Sequence, residues 1–481
     1  MVNLPAPGLV LALDQGGHGS RAVIFDGSGN EVAASHVPVA TQYGEDGFVE
    51  QDPLELARSL ERAALDACES PAVAGRPIEA AGLATQRSTI VCWERSSGRA
   101  LTNAISWQDR RNAAWLDRLE ARADEIRDLT GLVLSPHYGA SKLRWCLDNV
   151  PAVRRAAERG NLAFGPLSSW LLRCLVDERP VVVDPANASR TLLFDPATLA
   201  WSPALLDAFD IDVECLPTCV PTCYAYGRMG VGTRSIPVTA CTGDQSAAAF
   251  ACGAPEGNAA LVNVGTGAFV QRAASAGAPL PSGLLRSVLR SDSSGAVYSH
   301  EGTVNGAGSA IDWLRGITAL DVDRALGSLD VRPGEVVPLF MNGVGGLGAP
   351  FWLPAFPVEF VTDGDDRLRL AAVVESIAFL LCMNLVAMQR TAPLDGARIS
   401  GGMSRCDYLC QSLADVCGLP VHRDAQREAT ARGAAFLSAG QPSGWQAVPV
   451  ERSFQPRPND PLDARYRRWL AEMARRGAIA P

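Results

Sequence analysis

Several common signatures are missing from this 481-residue sequence, and each absence excludes a class of protein. There is no uninterrupted apolar run of about 18 residues, so no membrane-spanning helix is predicted. The opening residues, MVNLPAPG, show no basic segment followed by an apolar one, so no secretory signal is expected. The 13 cysteines include no C-x-x-C pair, and no histidine lies near the cluster CLPTCVPTC. We therefore expect a reduced, cytoplasmic protein without a zinc site.

Excess positive charge is missing as well. The chain has 43 Lys and Arg against 52 Asp and Glu, a formal net charge of -9. Broad attraction to nucleic acid or an anionic membrane is therefore not expected, and an anionic ligand needs a local cluster of donors. At about 100–200 residues per domain, the length predicts two large or three small domains.

Two common phosphate-binding signatures are absent, GxxxxGK[ST] and the protein-kinase set. GVGGLG at 343–348 fits the dinucleotide pattern GxGxxG, but APFWLPAFP follows it. Three prolines stand where that fingerprint needs a helix, so we reject a Rossmann site here.

Strand-like apolar runs alternate with helical patterns in the first half of the chain. QDPLELARSLERAALDACE predicts a helix with Asp52 as N-cap and Pro53 in first position. The stretch 108–131 predicts one long helix that ends at Gly131. Further helices are expected at 140–150, 168–175, 308–317, 369–390 and 407–418.

The second half begins again like the first, with an apolar run, a Gly-rich turn near residue 266 and another apolar run. We predict two similar α/β domains, 1–245 and 246–481, that meet near 239–257. Ligands of α/β proteins favour strand C-termini and domain interfaces, so a cleft is expected there.

The first Gly-rich hairpin, LVLALDQGGHGSRAVIFD, combines an acid, three glycines and an arginine. Gly16, Gly17 and Gly19 can turn the backbone N–H groups inward as an anion cradle. Arg21 suits phosphate oxygens, and Asp14 could hold a hydrated Mg²⁺. A plain hairpin with a surface Asp–Arg pair explains the same residues, so both interpretations stay open.

The second hairpin, VNVGTGAF, offers close backbone approach at Gly265 and Gly267 and a hydroxyl at Thr266, although an ordinary tight turn also explains it. VNGAGSAIDWLRG and ISGGMSRCDYL place Gly and Ser before helical runs. Such helix N-termini bind phosphate or ribose, and simple capping gives the same composition.

The stretch VTACTGDQSAAAF carries the strongest single candidate, because Asp244 follows a strand-like run and opens a helix of small residues. A carboxylate there can accept a hydroxyl proton as a general base. The alternative is a helix N-cap.

Taken in series, these stretches resemble the FGGY family of carbohydrate kinases, and most closely its glycerol-kinase branch. GFVEQDPLEL, GLATQRSTIVCWE, NAISWQDRRN, DPANASRTLLFD and GVGGLGAPFW occur in the family's order. The resemblance implies two ribonuclease-H/actin-like α/β domains with a deep interdomain cleft, ATP mainly on the second domain and substrate on the first. It implies transfer of the ATP γ-phosphoryl group to a primary hydroxyl of a small polyol or sugar, with Mg²⁺, in a homodimer or homotetramer.

The resemblance also assigns residues. Asp244 matches the catalytic base. The residues that match the family's substrate pocket are Arg87, Ser88, Trp107, His137, Asp244 and Gln245. The residues that match its ATP contacts are Gly17, His18, Gly19, Ser20, Arg21, Gly265, Thr266, Gly308, Asp312, Gly401, Gly402 and Cys406. Asp14 and Asp244 match the acids linked to Mg²⁺, through water.

Departures from the branch bear on its substrate. GGHGSR replaces GTTSSR, Ser88 of QRST stands at a substrate-binding glutamate, and His137 of PHY stands at a tyrosine. In the nucleotide-binding stretches, Cys406 stands at an asparagine and Asp312 at a glutamine. Losing a charged acceptor typically costs about 1.5–3 kcal/mol, or roughly 10- to 150-fold in affinity. Glycerol binding is therefore expected to be weakened. Because Ser88 is also shorter than glutamate, we expect a roomier pocket that accepts a longer polyol or ketose.

Two other functions stay open from the residues. One is a catalytically degenerate homologue that binds nucleotide or polyol in a regulatory role, which the lost hairpin hydroxyls favour. The other is an actin- or chaperone-like ATPase without an acceptor, in which Arg87, Trp107 and Gln245 would have no purpose.

Overall fold

The computed structural model describes residues 8–293, 295–426 and 428–479, which form two compact units. Unit 1 comprises the chain up to residue 255 together with 287–298 and 428–447. Unit 2 comprises 256–286, 299–427 and the chain from 448 onward. Unit 1 therefore draws residues from both predicted domain ranges, and the boundary at 245/246 stays a prediction.

The regular elements of unit 1 begin with the strands. These are β1 (Leu9–Gln15), β2 (Gly19–Phe25), β3 (Glu31–Pro38), β4 (Gln42–Tyr43), β5 (Val49–Gln51), β6 (Ile78–Thr85), β7 (Ile90–Glu94), β8 (Ala104–Ile105), β9 (Leu162–Pro166), β10 (Val182–Val183), β11 (Phe194–Asp195), β12 (Ala200–Trp201), β13 (Thr218–Cys219), β14 (Cys223–Val231) and β15 (Arg234–Gly243). The helices are α1 (Pro53–Cys68), α2 (Ala123–Thr130), α3 (Gly139–Asn149), α4 (Pro151–Glu158), α5 (Leu167–Leu175), α6 (Pro185–Ala188), α7 (Pro203–Phe209), α8 (Asp244–Ala248) and, late in the chain, α13 (Ala429–Ser438). Short 3-10 helices lie at Glu45–Gly47, Pro71–Val73, Ala114–Arg122, Ser189–Thr191 and Val213–Cys215.

Unit 2 follows the same plan. Its strands are β16 (Ala259–Val264), β17 (Ala268–Ala274), β18 (Leu285–Asp292), β19 (Gly295–Val304), β20 (Phe340–Asn342), β21 (Val358–Phe360), β22 (Gly396–Ser400), β23 (Val421–Asp424) and β24 (Val450–Phe454), of which β18 and β19 also include residues counted with unit 1. Its helices are α9 (Gly308–Arg315), α10 (Val322–Gly327), α11 (Asp366–Gln389), α12 (Asp407–Cys417) and α14 (Asp460–Arg475), with a 3-10 helix at Gly402–Arg405.

The main sheet of unit 1 has the order β14-β15-β6-β1-β2-β3. Strands β1 and β2 form an antiparallel hairpin, while β6 runs parallel to both β1 and β15. In this register Gln15, Thr85 and Gly243 stand level with one another. The parallel strands β1, β6 and β15 therefore end at the same side of the sheet. Functional residues of α/β proteins commonly lie at these carboxyl ends of the strands.

Strand β1 is buried on both faces, which explains its unbroken apolar sequence. Leu9, Leu11 and Leu13 belong to the core cluster that includes residues of α1 and α5. Val10 and Ala12 belong to a separate cluster with the alanines of α13. A Cβ on Gly82 of β6 would lie 2.5 Å from the Ala434 carbonyl oxygen, so only glycine allows α13 to approach the sheet this closely.

The main sheet of unit 2 has the order β18-β19-β17-β16-β22-β23-β24. It repeats the start of unit 1, because β16 and β17 form an antiparallel hairpin and β22 runs parallel to β16. Helix α11 could cross a membrane by length and composition, but 89% of its apolar 18-residue window is buried inside the protein, as in a core helix. The prediction of two similar α/β domains is confirmed.

Most predicted helices are confirmed, including α1 with Asp52 as N-cap, whose side chain accepts from the backbone N–H groups of Leu54 and Glu55. The single helix over 108–131 is wrong. That stretch contains a 3-10 helix at Ala114–Arg122 that buries only Leu116 and Leu119, so little packing stabilises an α-helix there. The predicted end is right, because Gly131 caps α2 in the left-handed region.

Candidate active site

Asp14 and Arg21 face each other in the first Gly-rich hairpin, with Arg21 Nη1 3.8 Å from Asp14 Oδ2. Arg21 Nη1 also lies 3.8 Å from Glu428 Oε2, at the residue before α13. Burial first, and then the charges of Asp244 and Glu428, raise the pKa of Asp14 to about 7, against the opposing charge of Arg21. An acid that stays buried in this way is a functional candidate with a physical reason.

The hairpin tip is fixed by hydrogen bonds to its backbone. Gly16 donates its N–H to the Gly19 carbonyl over 3.0 Å. The Gly17 carbonyl accepts from Gln51 Nε2 at 2.9 Å. A Cβ on Gly17 would meet nothing closer than 3.7 Å, and the His18 side chain is exposed, so the tip is open to a ligand.

Ser20 does not offer its hydroxyl at this tip. Its Oγ donates to Gln15 Oε1 at 2.8 Å and shares a 2.7 Å hydrogen bond with Ser59 Oγ, all inside the core. The sequence could not reveal this contact, because Ser59 lies on α1, far along the chain.

Asp244 is the first residue of α8, and the N-cap residue is Gly243, so the interpretation of Asp244 as a simple N-cap is wrong. Its Oδ1 accepts from the Gln245 backbone N–H at 2.7 Å and lies 3.8 Å from Arg87 Nε. A Cβ on Gly243 would come within 2.6 Å of Arg87, so glycine is required beside this pair. Burial raises the pKa of Asp244, while Arg87 and Arg190 oppose the shift.

The predicted substrate residues Ser88, Trp107 and His137 come together next to this pair. The Trp107 and His137 ring centroids are 5.6 Å apart. Lys142 Nζ donates to the Ser88 carbonyl at 2.9 Å and to the His137 carbonyl at 2.6 Å, so one buried lysine joins both segments. Burial, with the nearby cations Lys142 and Arg190, holds the pKa of His137 well below its usual range.

Ser88 itself is unusual. It has φ of 65°, in the left-handed region that non-glycine residues rarely adopt, and its side chain is buried. Its Oγ has no hydrogen-bond partner among the described residues. A buried hydroxyl without a partner is costly unless a ligand completes it.

Four residues at the site were missed by sequence reasoning: Tyr138, Lys142, Arg190 and Glu428. Tyr138 and Arg190 are 3% and 4% exposed and hydrogen-bond to each other through their side chains. Their signals were present, because Arg190 lies in the quoted stretch DPANASRTLLFD and Lys142 lies in the predicted helix 140–150. Glu428 had no local signal.

In unit 2, three predicted nucleotide segments converge. Gly308 and Ser309, at the start of α9, donate their N–H groups to the Gly265 and Thr266 carbonyls at 2.9 Å. A Cβ on Gly308 would lie 2.7 Å from the Gly265 oxygen. Gly401 has φ of 88°, and a Cβ there would lie 2.5 Å from the Val264 oxygen.

Two of the predicted nucleotide residues of unit 2 lie apart from this backbone cluster. Asp312 is on the exposed side of α9, paired with Arg315. Cys406 is 4% exposed at the N-cap of α12, where burial raises the pKa of its thiol. Gly402 begins the 3-10 helix between Gly401 and that cysteine.

Comparison with known proteins identifies the family of this chain. Residues 9–251 match the N-terminal domain of the FGGY family of carbohydrate kinases, and residues 260–440 match its C-terminal domain. The chain belongs to the FGGY family of carbohydrate kinases.

Relatives along the whole chain carry the name glycerol kinase. The one from Methylibium petroleiphilum is 38% identical, with 98% of this chain and 99% of that protein covered. The one from Azotobacter vinelandii is 35% identical, with 93% of each covered. Among solved structures, Plasmodium falciparum glycerol kinase with ADP has a TM-score of 0.89 at 23% identity, with 99% of each chain covered. A xylulose kinase from Brucella ovis has a TM-score of 0.86 at 22% identity, with 98% of this chain and 99% of that chain covered.

These two structures are similar in fold. Family membership makes this protein an ATP-dependent polyol or sugar kinase, and none of these comparisons favours a catalytically degenerate homologue.

Proposed function

We propose that Asp244 is the general base of this kinase and that its acceptor is a primary hydroxyl of a small polyol or ketose. The observation that carries the proposal is the place of Asp244, at the start of α8 with Oδ1 3.8 Å from Arg87 Nε. Its raised pKa makes the carboxylate a better proton acceptor than an exposed aspartate.

The reaction is an in-line transfer. The acceptor oxygen forms a bond to the γ-phosphorus, the bond from that phosphorus to the β,γ-bridging oxygen breaks, and ADP leaves. The proton of the acceptor hydroxyl goes to Asp244. Arg21 supports the negative charge that develops on the phosphoryl oxygens.

For the nucleotide, we propose backbone contacts from Gly17, Gly19, Gly265, Gly308, Gly401 and Gly402, with side-chain contacts from His18, Arg21 and Thr266. Ser20 contributes through its backbone, because its hydroxyl is bonded to Gln15 and Ser59. Asp312 and Cys406 stay the weaker predictions, since one is paired with Arg315 and the other is buried.

Mg²⁺ is proposed to bind beside Asp14 and Asp244. The described residues contain no group of three or more His, Cys, Asp or Glu side chains arranged to hold a metal ion. The two carboxylates fit Mg²⁺ nevertheless, because the charge of Asp244 raises the pKa of Asp14 and Mg²⁺ keeps several waters beside one or two carboxylates. When bound, the ion neutralises phosphate charge.

The acceptor is proposed to be longer than glycerol, because Ser88 is shorter than the glutamate of the family branch and leaves its hydroxyl unsatisfied. Glycerol is the second candidate, favoured by the names of the relatives. A panel of three- to seven-carbon polyols and ketoses decides between them. A best kcat/KM for glycerol would contradict the longer acceptor.

The test of the base is Asp244→Asn. We expect kcat to fall by about 10²–10⁴-fold while ATP affinity stays near the wild-type value. The matched control is Asp210→Asn, whose side chain is 93% exposed. Turnover within threefold of the wild type in Asp244→Asn would remove this residue from its proposed role.

The homodimer or homotetramer and the cytoplasmic location stay predictions. Size-exclusion chromatography with light scattering measures the first directly.

A further inference from the structure

We propose that Lys142 is a positioning residue for the acceptor: its amino group holds the backbone of Ser88 and His137 in the arrangement that binds the acceptor. This rests on the proposed function, because Ser88 and His137 are predicted substrate residues of that same site. Lys142 acts through these two residues and not by touching the acceptor. Its effect is therefore expected on acceptor binding and not on ATP binding.

Lys142 stands out in the sequence, because it is the only lysine of the chain. The other 42 of the 43 Lys and Arg residues are arginine. A guanidinium is a wide planar fork that keeps its charge when buried, whereas a lysine amine is compact, turns its donors freely and can release its proton. The one position that has lysine is therefore expected to need the compact group.

The contacts of Lys142 meet this expectation. The residue lies on α3 and is 1% exposed. Its Nζ donates to the Ser88 carbonyl at 2.9 Å and to the His137 carbonyl at 2.6 Å. Ser88 lies just before β7 and His137 just before α3, so the two acceptors come from separate segments. A compact donor with rotatable N–H groups suits two such carbonyls better than a planar fork.

The charge of Lys142 is costly to bury. Burial, with the charges of Arg110 and Arg111, lowers the pKa of the amine to about 7, against the opposing charge of Asp109. The Asp109 carboxylate is bonded to Arg111 Nη2 and to the Val49 N–H, each at 2.7 Å. The described contacts of the amine are carbonyl oxygens, which offset the cost of burying a charge only in part. A stabilising role alone therefore does not account for this residue.

Ser88 is the residue whose backbone needs to be held. Its φ of 65° lies in the left-handed region, and such a conformation persists where the surroundings fix it. Lys142 fixes the Ser88 carbonyl. Thr89 is fixed as well, because its Oγ1 accepts from the Trp107 N–H at 3.1 Å and its carbonyl accepts from the Leu167 N–H at 2.9 Å. The buried Ser88 hydroxyl meanwhile has no partner among the described residues, as expected of a group kept for a ligand.

Lys142 also connects Ser88 to the opposite segment of the predicted pocket. The ring of His137, whose carbonyl is its second acceptor, lies 5.6 Å from the Trp107 ring between centroids. Without the amine, two buried carbonyls lose a donor and the Ser88 backbone can relax from its left-handed conformation. Because a displacement of about 1 Å can cost roughly 10²-fold in an enzyme, we expect acceptor binding to weaken.

The experiment uses two variants of the full-length protein. Lys142→Met removes the donors and keeps a long side chain, and Lys142→Arg supplies the cation that the rest of the chain uses. With saturating Mg²⁺, kcat and the KM values for ATP and for glycerol, erythritol, xylitol and xylulose are measured. In both variants the KM for the acceptor is expected to rise by about 10-fold or more, while kcat and the KM for ATP stay within about threefold.

The matched control is Arg144→Met on the same helix, whose guanidinium pairs with the exposed acids Asp148 and Asp210. Its kinetic constants are expected to equal those of the wild type. A lysine that only stabilised the fold would give another pattern. Its loss would lower the active fraction, and with it kcat, and would leave the KM for the acceptor unchanged.

The wild type offers a second measurement if neither variant folds. Because the chain has one lysine, growth with lysine labelled with ¹³C at Cε gives a single NMR signal, which belongs to Lys142. We expect saturating acceptor to shift this signal and ATP alone to leave it in place, since the carbonyls that hold the amine belong to the acceptor side of the site.

The outcomes are distinct. An acceptor KM within about threefold of the wild type in either folded variant overturns the inference and leaves the kinase function intact. Where neither variant folds, a Lys142 signal that none of the four acceptors shifts does the same. A wild-type protein that binds ATP and phosphorylates none of the four acceptors overturns the proposed function, and the inference with it.

Discussion

The two Gly-rich hairpins share their geometry and differ in their charge. In unit 1, the turn between β1 and β2 is flanked by Asp14 and Arg21, and Glu428 lies within reach of the same guanidinium group. In unit 2, the turn between β16 and β17 has no charged residue, and its carbonyls accept N–H groups from the start of α9. The hairpin of unit 1 therefore carries charged side chains, whereas the hairpin of unit 2 is packed against the backbone of α9.

This difference suggests a division of work. Charge on the transferred phosphoryl group is best stabilised by fixed side-chain charges, which unit 1 supplies. We propose that unit 2 holds the rest of the nucleotide through the close backbone approach that its glycines allow. Four measurements test this comparison and the unit that carries each hairpin, and they follow from the largest expected effect to the smallest.

The largest effect is expected from Arg21→Gln. Removing the one cation of the first hairpin is expected to lower kcat by about 10²–10³-fold, because this charge acts on the phosphoryl group in the transition state. Steady-state kinetics measures it. Arg62→Gln, on an exposed i,i+4 pair with Asp66, is the control. A change of kcat below threefold in Arg21→Gln would show that the charge of the first hairpin does not distinguish it from the second.

The second effect concerns pH and unit 2. His300 is 2% exposed, neither ring nitrogen has a partner among the described residues, and burial lowers its pKa to about 4 from 6.5. The unfolded chain takes up a proton at this histidine below pH 6.5 while the folded one does not, so stability falls as pH falls from 6.5 to 4.

This loss amounts to about 3 kcal/mol at full extent. His300→Leu is expected to lose that much less free energy of unfolding between pH 7.5 and pH 4, as measured by urea unfolding. Parallel pH curves for the two proteins would show that folding does not lower the pKa of His300.

A smaller effect is expected from Gly308→Ala. Its Cβ would press on the Gly265 oxygen at 2.7 Å, so we expect a loss of about 1–3 kcal/mol in stability and weaker ATP binding. The matched control is Gly402→Ala, where a Cβ meets nothing within 4 Å and the melting temperature should hardly change. Equal melting temperatures for both variants would show that the second turn does not depend on close packing.

The smallest effect is expected from Thr266→Ala. If the second hairpin acts through its backbone, loss of this hydroxyl should raise the KM for ATP by only about 3- to 10-fold, the value of one neutral hydrogen bond. Thr266→Ser, which keeps the hydroxyl, serves as the control. A loss as large as that of Arg21→Gln would overturn the division between the hairpins.

Much of the fold was predictable because its signals are local. The Asp52–Pro53 start of α1, the αL stop at Gly131 and both Gly hairpins were visible in a few adjacent residues. The stretch 108–131 misled because its helical spacing is real but its packing is sparse. Periodicity reports which face could be buried and cannot report whether a partner covers it.

The site divides in the same way. The order of motifs along the chain determined, without any structure, the family resemblance, the candidate base Asp244 and the first hairpin. Tertiary structure alone decided that the Ser20 hydroxyl turns into the core, that Glu428 shares Arg21 with Asp14, and that Arg190 joins Tyr138 near Asp244. The Glu428 contact exists because α13 packs on β1 and β6, and the Ser20 hydroxyl meets Ser59 because α1 packs on β2. The sequence by itself determines which chemical groups are present at each motif, whereas the packing of helices on the sheet determines which partner each group contacts.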